Sequence, residues 1–153
     1  MKDLHRIIAI GFGSGRLPIA PGTWGAALAA LMAVPLMWVN SDLARLTLIL
    51  ASIVFSFICA KAVDLFADEW GEDPSHVVAD EMVGMWLTLV GNPLTWSNLG
   101  LGFLLFRFFD IAKPLGVRRL EKIPGGWGVV LDDVLAGVYA NILLQIANLY
   151  FVL

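Results

Sequence analysis

The stretch LARLTLILASIVFSFICAKAV, Leu43 to Val63, sets the fold class. It has about the twenty residues that a helix needs to cross bilayer hydrocarbon, and its two charges, Arg45 and Lys61, stand near its ends. The composition around it agrees. Of 153 residues, 59% are hydrophobic and only 15% charged, far from the balance of a soluble domain, so the solvent this chain expects is mostly lipid.

On the N-terminal side, Trp24 to Val39 is a second apolar segment, rich in Ala, with Pro35 as a kink. On the C-terminal side, Val134 to Leu153 is long enough to cross, and its amides Asn141, Gln145 and Asn148 are better satisfied by neighbouring helices than by lipid. Between these lie Met82 to Val90 and Leu99 to Phe109, each about half a span, with the breaker Gly91-Asn92-Pro93 between them. They read as a short helical hairpin. The expectation is an all-α integral membrane protein: about three full transmembrane helices plus that hairpin, in a single membrane-embedded domain over residues 1–153. No cleavable leader is apparent at the N-terminus, so insertion is expected to rely on the internal segments.

Charge placement orients this arrangement. Threaded so, nine of the ten Lys and Arg residues share one face and only Arg45 lies opposite, so the shared face should be cytoplasmic. Every Asp and Glu except Asp42 gathers there too. A net charge of -3 leaves no broad basic surface for nucleic acid. The lone Cys59, inside an apolar run, excludes a disulfide framework or a cysteine metal site within one chain and reads as a buried thiol.

Three blocks put carboxylates where apolar segments begin or end: Asp80-Glu81-Met82-Val83-Gly84, Phe109-Asp110-Ile111-Ala112-Lys113-Pro114 and Asp132-Asp133-Val134-Leu135-Ala136-Gly137. Each acidic pair has an ordinary use in complementing a helix dipole. Capping does not, however, require Gly84 and Gly137 about one turn inward, where small residues permit close helix approach. A charge near the membrane is costly, about 2.5 to 3.5 kcal/mol at a helix centre and less toward the interface, so several carboxylates together call for a cation. Oxygen ligands without a set of His or Cys favour Mg²⁺, Mn²⁺ or Ca²⁺, and Mg²⁺ commonly combines one or two carboxylates with a substrate phosphate. Asp80, Glu81, Asp110, Asp132 and Asp133 are therefore the candidate metal and catalytic residues.

Arg107, Asp110 and Lys113 recur at intervals of three and can share one helical face, which makes Arg107 and Lys113 candidate phosphate ligands. Arg118, Arg119 and Lys122 read as anchors to lipid headgroups. The glycine-rich segment Gly11 to Gly25 precedes a span and could wrap amides around an anion, with Ser14, Arg16 and Thr23 as its candidate substrate contacts. It lacks the preceding strand of a dinucleotide fold and the G-K-[ST] of a phosphate loop. Gly125-Gly126-Trp127-Gly128 reads as a turn that lets the backbone before Asp132 approach the site closely. His5 and His76 belong to no metal-binding pair. Pro74-Ser75-His76 lacks the companion blocks of a histidine phosphatase.

Taken together, four ordered blocks resemble the phosphatidylglycerophosphatase A family: Ala20-Pro21-Gly22-Thr23-Trp24-Gly25, Asp80 to Gly84, Phe106-Arg107-Phe108-Phe109-Asp110-Ile111-Ala112-Lys113-Pro114, and Gly125 to Gly137. The resemblance spans nearly the whole chain, and no departure from the family pattern removes a carboxylate. It implies a multi-pass phosphatase of the bacterial inner membrane, its active site facing the cytoplasm, that uses Mg²⁺ to convert phosphatidylglycerophosphate to phosphatidylglycerol and phosphate. Its partners would be a phospholipid substrate and the membrane, with no nucleic acid and the oligomeric state open. Two alternatives stand beside it: a small cation transporter or channel subunit, which should spread its acidic residues through membrane depth, and a phosphatase acting on another lipid phosphomonoester.

Overall fold

The computed structural model describes residues 2–71, 75–114 and 116–151. These form α1 (Lys2–Ala9), α2 (Pro21–Ala33), α3 (Ser41–Leu65), α4 (Ala67–Trp70), α5 (Ala79–Leu89), α6 (Trp96–Ala112), α7 (Val117–Leu120) and α8 (Gly126–Tyr150), with 3₁₀ turns at Gly11–Arg16 and Val34–Trp38 and no strand among the described residues. Three stretches are long and apolar enough to cross a bilayer: Pro21–Trp38, Ser41–Leu65 and Gly126–Tyr150. α3 turns Leu46, Leu50, Val54 and Phe57 outward, and α8 does the same with Ile142, Ile146 and Leu149. Surfaces that apolar belong against acyl chains. The protein is an all-α membrane protein.

Local chemistry explains where these helices start and stop. Asn40 caps α3 by accepting from the amides of Asp42 at 2.8 Å and Leu43 at 3.4 Å. The first span changes from α to 3₁₀ at Val34, one residue before Pro35, whose missing N–H cannot continue the α ladder. Gly91, at φ 76°, turns the chain between α5 and α6.

Two expectations need correction. The last span begins at Gly126, not Val134, because only Gly125 (φ 79°) acts as a turn and the following glycines are helical. Asp132 and Asp133 therefore sit almost two turns inside α8 instead of at its mouth; the far end of the expected span, residues 152 and 153, lies outside the described residues. The hairpin is also uneven. At 1.5 Å per residue, the 11 residues of α5 rise about 16 Å and the 17 residues of α6 about 25 Å, so α6 is nearly a span and α5 is half of one.

α5 is held from several sides. It crosses α8 at Gly84 and Gly137, where a Cβ on Gly137 would lie 2.5 Å from the carbonyl oxygen of Gly84, and one on Gly84 would lie 2.8 Å from that of Asp133 and overlap the ring of Phe106. Its C-terminal carbonyls, which a helix leaves without internal partners, are met from α8: Asn141 donates to Leu87 at 3.0 Å, Thr88 at 2.9 Å and Val90 at 2.7 Å. Gln145 donates to Asn141 at 2.7 Å, and Asn148 donates to Asn92 at 3.0 Å. Asn141 and Asn148 thus do face neighbouring structure, as their burden in lipid requires, while Gln145 is exposed and bonds within its own helix.

The backbone crossing makes a sharp prediction. Gly137→Ala should lower the thermal unfolding midpoint in detergent, at a cost of about 1 to 3 kcal/mol from overpacking. Gly100→Ala, at a helical position with no neighbouring atom within 4 Å, should leave the midpoint unchanged or raise it slightly. Equal midpoints for the two variants would show that α5 and α8 do not touch there.

Candidate active site

The ends of α3, α5, α6 and α8 that carry acidic residues meet around one cavity of about 610 Å³. Asp80 and Glu81 enter it from the first turn of α5, Asp110 from the last turn of α6, and Asp132 and Asp133 from α8. All five predicted carboxylates share this space, although 53 positions separate Asp80 from Asp133 in the chain. Asp80, Asp110, Asp132 and Asp133 are all buried.

Asp80, Glu81 and Asp133 form the tightest group: each offers an oxygen within 4.8 Å of the others. Oδ1 of Asp80 and Oε2 of Glu81 are buried and have no hydrogen-bond partner among the described residues. Buried carboxylate oxygens left without donors are expensive, and a divalent ion is the group such an all-oxygen donor set fits. Asp110 lies against Asp133 and is paired with Arg107. Asp132 points elsewhere, its Oδ2 accepting from Lys113 Nζ at 2.7 Å while its buried Oδ1 has no partner among the described residues.

The predicted cations are arranged differently from a single helical face. α6 ends at Ala112, and Lys113 takes a left-handed conformation (φ 46°) that swings it off the helix axis toward Asp132 and Glu121. Burial works against its ammonium charge, but these two carboxylates outweigh that and raise its pKa above the ordinary lysine range. Arg107 stays on the helix and pairs with Asp110 alone of the two. Its Nη1 and the Glu81 carboxylate occupy the space that a side chain on Gly22 would need, so the A-P-G-T-W-G block reaches the site through an absent side chain.

The other predicted contacts lie outside the cavity wall. Ser14 donates back to the carbonyl of Gly11 at 2.8 Å, Arg16 is exposed, and Thr23 sits in the first turn of α2. The glycine-rich segment packs behind α5: side chains on Gly15 or Gly25 would collide with His76 or Val78. His76 meets Trp70 edge to face at 4.9 Å, and burial, then the charges of Arg16 and Arg6, lower its pKa. Pro74 lies outside the described residues. Cys59 is buried.

Three cavity residues escaped the sequence reading. Lys122, taken for a headgroup anchor, lines the cavity, as do Glu121 and Asp64. Asp64 accepts from the backbone N–H of Gly126 at 2.7 Å. The available signal was its position, one residue past the end of the span read as Leu43 to Val63, where a carboxylate has no helix N-terminus of its own to complement.

Comparison with known proteins is consistent over nearly the whole length. A Bacteroides thetaiotaomicron protein, provisionally named a phosphatidylinositol-3-phosphatase, is 47% identical over 147 residues, covering 93% of this chain and 92% of the relative. Proteins named phosphatidylglycerophosphatase A are 38% identical in Haemophilus influenzae (93% of this chain, 86% of the relative) and 33% identical in Escherichia coli (90% and 80%). No solved structure matches. Residues 7–148 match the family model described as phosphatidylglycerophosphatase A, and with relatives of this identity and coverage the chain belongs to that family.

Proposed function

We propose that the chain is a Mg²⁺-dependent lipid phosphatase that hydrolyses phosphatidylglycerophosphate to phosphatidylglycerol and phosphate. The observation that carries this is the convergence of Asp80, Glu81 and Asp133, with two buried oxygens lacking donors, in a cavity that also holds Lys113 and Lys122. Family membership narrows the substrate to a phospholipid monoester. A transporter would need acidic groups through the membrane depth, whereas those on the described helices gather at one end, with Asp42 opposite.

In this reading Asp80, Glu81 and Asp133 would hold the ion, which would supply Lewis-acid polarisation of the phosphoryl group. Lys113 orients Asp132, and the free Oδ1 of Asp132 would accept a proton from the attacking water as its oxygen bonds to phosphorus and the bond from phosphorus to the lipid's glycerol oxygen breaks. Arg107 holds Asp110 beside Asp133, so that the carboxylate wall keeps its shape as the substrate's charge enters. Lys122, which has no ion pair among the described residues, is the cation left to meet the phosphate. The cavity opens to the cytoplasm of a bacterial inner membrane, since the basic residues flank it and Arg45 stands at the opposite end.

Purified protein should release phosphate from phosphatidylglycerophosphate with Mg²⁺ and lose that activity in EDTA. Asp133→Asn should lose about 100-fold or more. Activity indifferent to both would end the proposal. The 47% identical relative makes phosphatidylinositol 3-phosphate the informative second substrate: faster turnover of that lipid would move the assignment to the other headgroup while keeping the chemistry.

Orientation has its own check. A cysteine at Arg119 should react with an impermeant maleimide in inside-out vesicles, and one at Val39 in right-side-out cells. The reverse pattern would put the cavity on the other face.

A further inference from the structure

We infer that Asp64 is a positioning residue that latches the start of α8 to the end of α3 and so sets the placement of Asp132 and Asp133. This rests on the phosphatase reading of the cavity. A helix start leaves its first N–H groups without internal partners, and a residue just ahead of the helix commonly supplies the acceptor. Here the residue just ahead is Gly125, which has no side chain, and the acceptor comes from another helix: Asp64 Oδ1 takes the Gly126 N–H at 2.7 Å.

The backbone is shaped to allow this. Gly125 stands at φ 79°, and a Cβ there would lie 2.9 Å from Asp64 Oδ1; a Cβ on Gly126 would collide with the carbonyl oxygen of Ala60, one turn before Asp64 on α3. The two glycines thus bring the α8 backbone against α3 with no side chain between them. Asp132 and Asp133 follow six and seven residues later on the same helix, about 9 to 11 Å along its axis, so a shift of the first turn is carried to both. Asp64 lines the same cavity but stands outside the group formed by Asp80, Glu81 and Asp133. Its oxygen is already committed to an amide. An acceptor at this position is what the geometry demands, and a negative charge is not.

That distinction is testable on the full-length protein in detergent. Asp64→Asn retains an oxygen acceptor and should keep kcat with phosphatidylglycerophosphate and Mg²⁺ within a few-fold of the parent. Asp64→Ala and Gly126→Ala should each lose about tenfold to 100-fold in kcat with KM little changed, as displaced catalytic groups do. Both should also weaken Mn²⁺ binding measured by electron paramagnetic resonance without substrate. Should Asp64→Asn fall as far as Asp64→Ala while its unfolding midpoint stays at the parent value, the charge is what matters and the latch is overturned. Parent-like kcat and Mn²⁺ binding in Asp64→Ala would overturn it as well. If the parent protein itself releases no phosphate, the phosphatase reading fails, and Mn²⁺ binding by the same variants still decides the latch; Asp64→Asn is decisive even where the alanine variants do not fold.

Discussion

Backbone contact between α5 and α8 at Gly84 and Gly137 is the constraint on which the rest of the molecule depends. Two helices normally stand 8 to 10 Å apart, held off by their side chains. Removing the side chains on both sides lets the axes close in, and in lipid, where no hydrophobic force drives helices together, such close packing is a main source of association. The consequence for the candidate site follows from register. Asp80 and Glu81 stand about one turn before Gly84, and Asp133 about one turn before Gly137, so the contact that joins the helices also brings these carboxylates face to face.

Once acidic groups are gathered, their charge has to be managed in a medium that solvates them poorly. The protein divides the task. Asp110 and Asp132 each receive a cation, Arg107 and Lys113, from the end of α6, while Asp80 and Glu81 keep buried oxygens without donors among the described residues. Lysine suits its post because a left-handed residue at the helix end aims it across the cavity to α7 and α8. Arginine suits the other because its guanidinium fits under Gly22, against both Glu81 and Asp110.

Much of this was legible in the sequence. The length and apolarity of Leu43 to Val63 identified a spanning helix, Gly91-Asn92-Pro93 a reversal, and the recurrence of glycine one turn from each acidic pair pointed to a shared site. The errors have physical causes. Composition marked the last span only where its apolar run becomes dense, so the helical glycines looked like a turn and Asp132 and Asp133 like the mouth of the helix. A spacing of three suggested one face for Arg107, Asp110 and Lys113, but a left-handed residue at the helix end erases that periodicity. The role of Gly22 was hidden because an absent side chain shows its purpose only when its neighbours are known.

The amide ladder of α8 bears on how the chain is assembled. A segment as short as α5 covers only about half of a hydrocarbon layer roughly 30 Å thick, and its last carbonyls would be bare in lipid. Asn141, which answers them, is made more than fifty residues later. During synthesis, then, α5 leaves the ribosome well before the group that makes it compatible with the bilayer exists. Its first half-buried state must wait at the surface or beside the insertion machinery until α8, which seats it, has emerged.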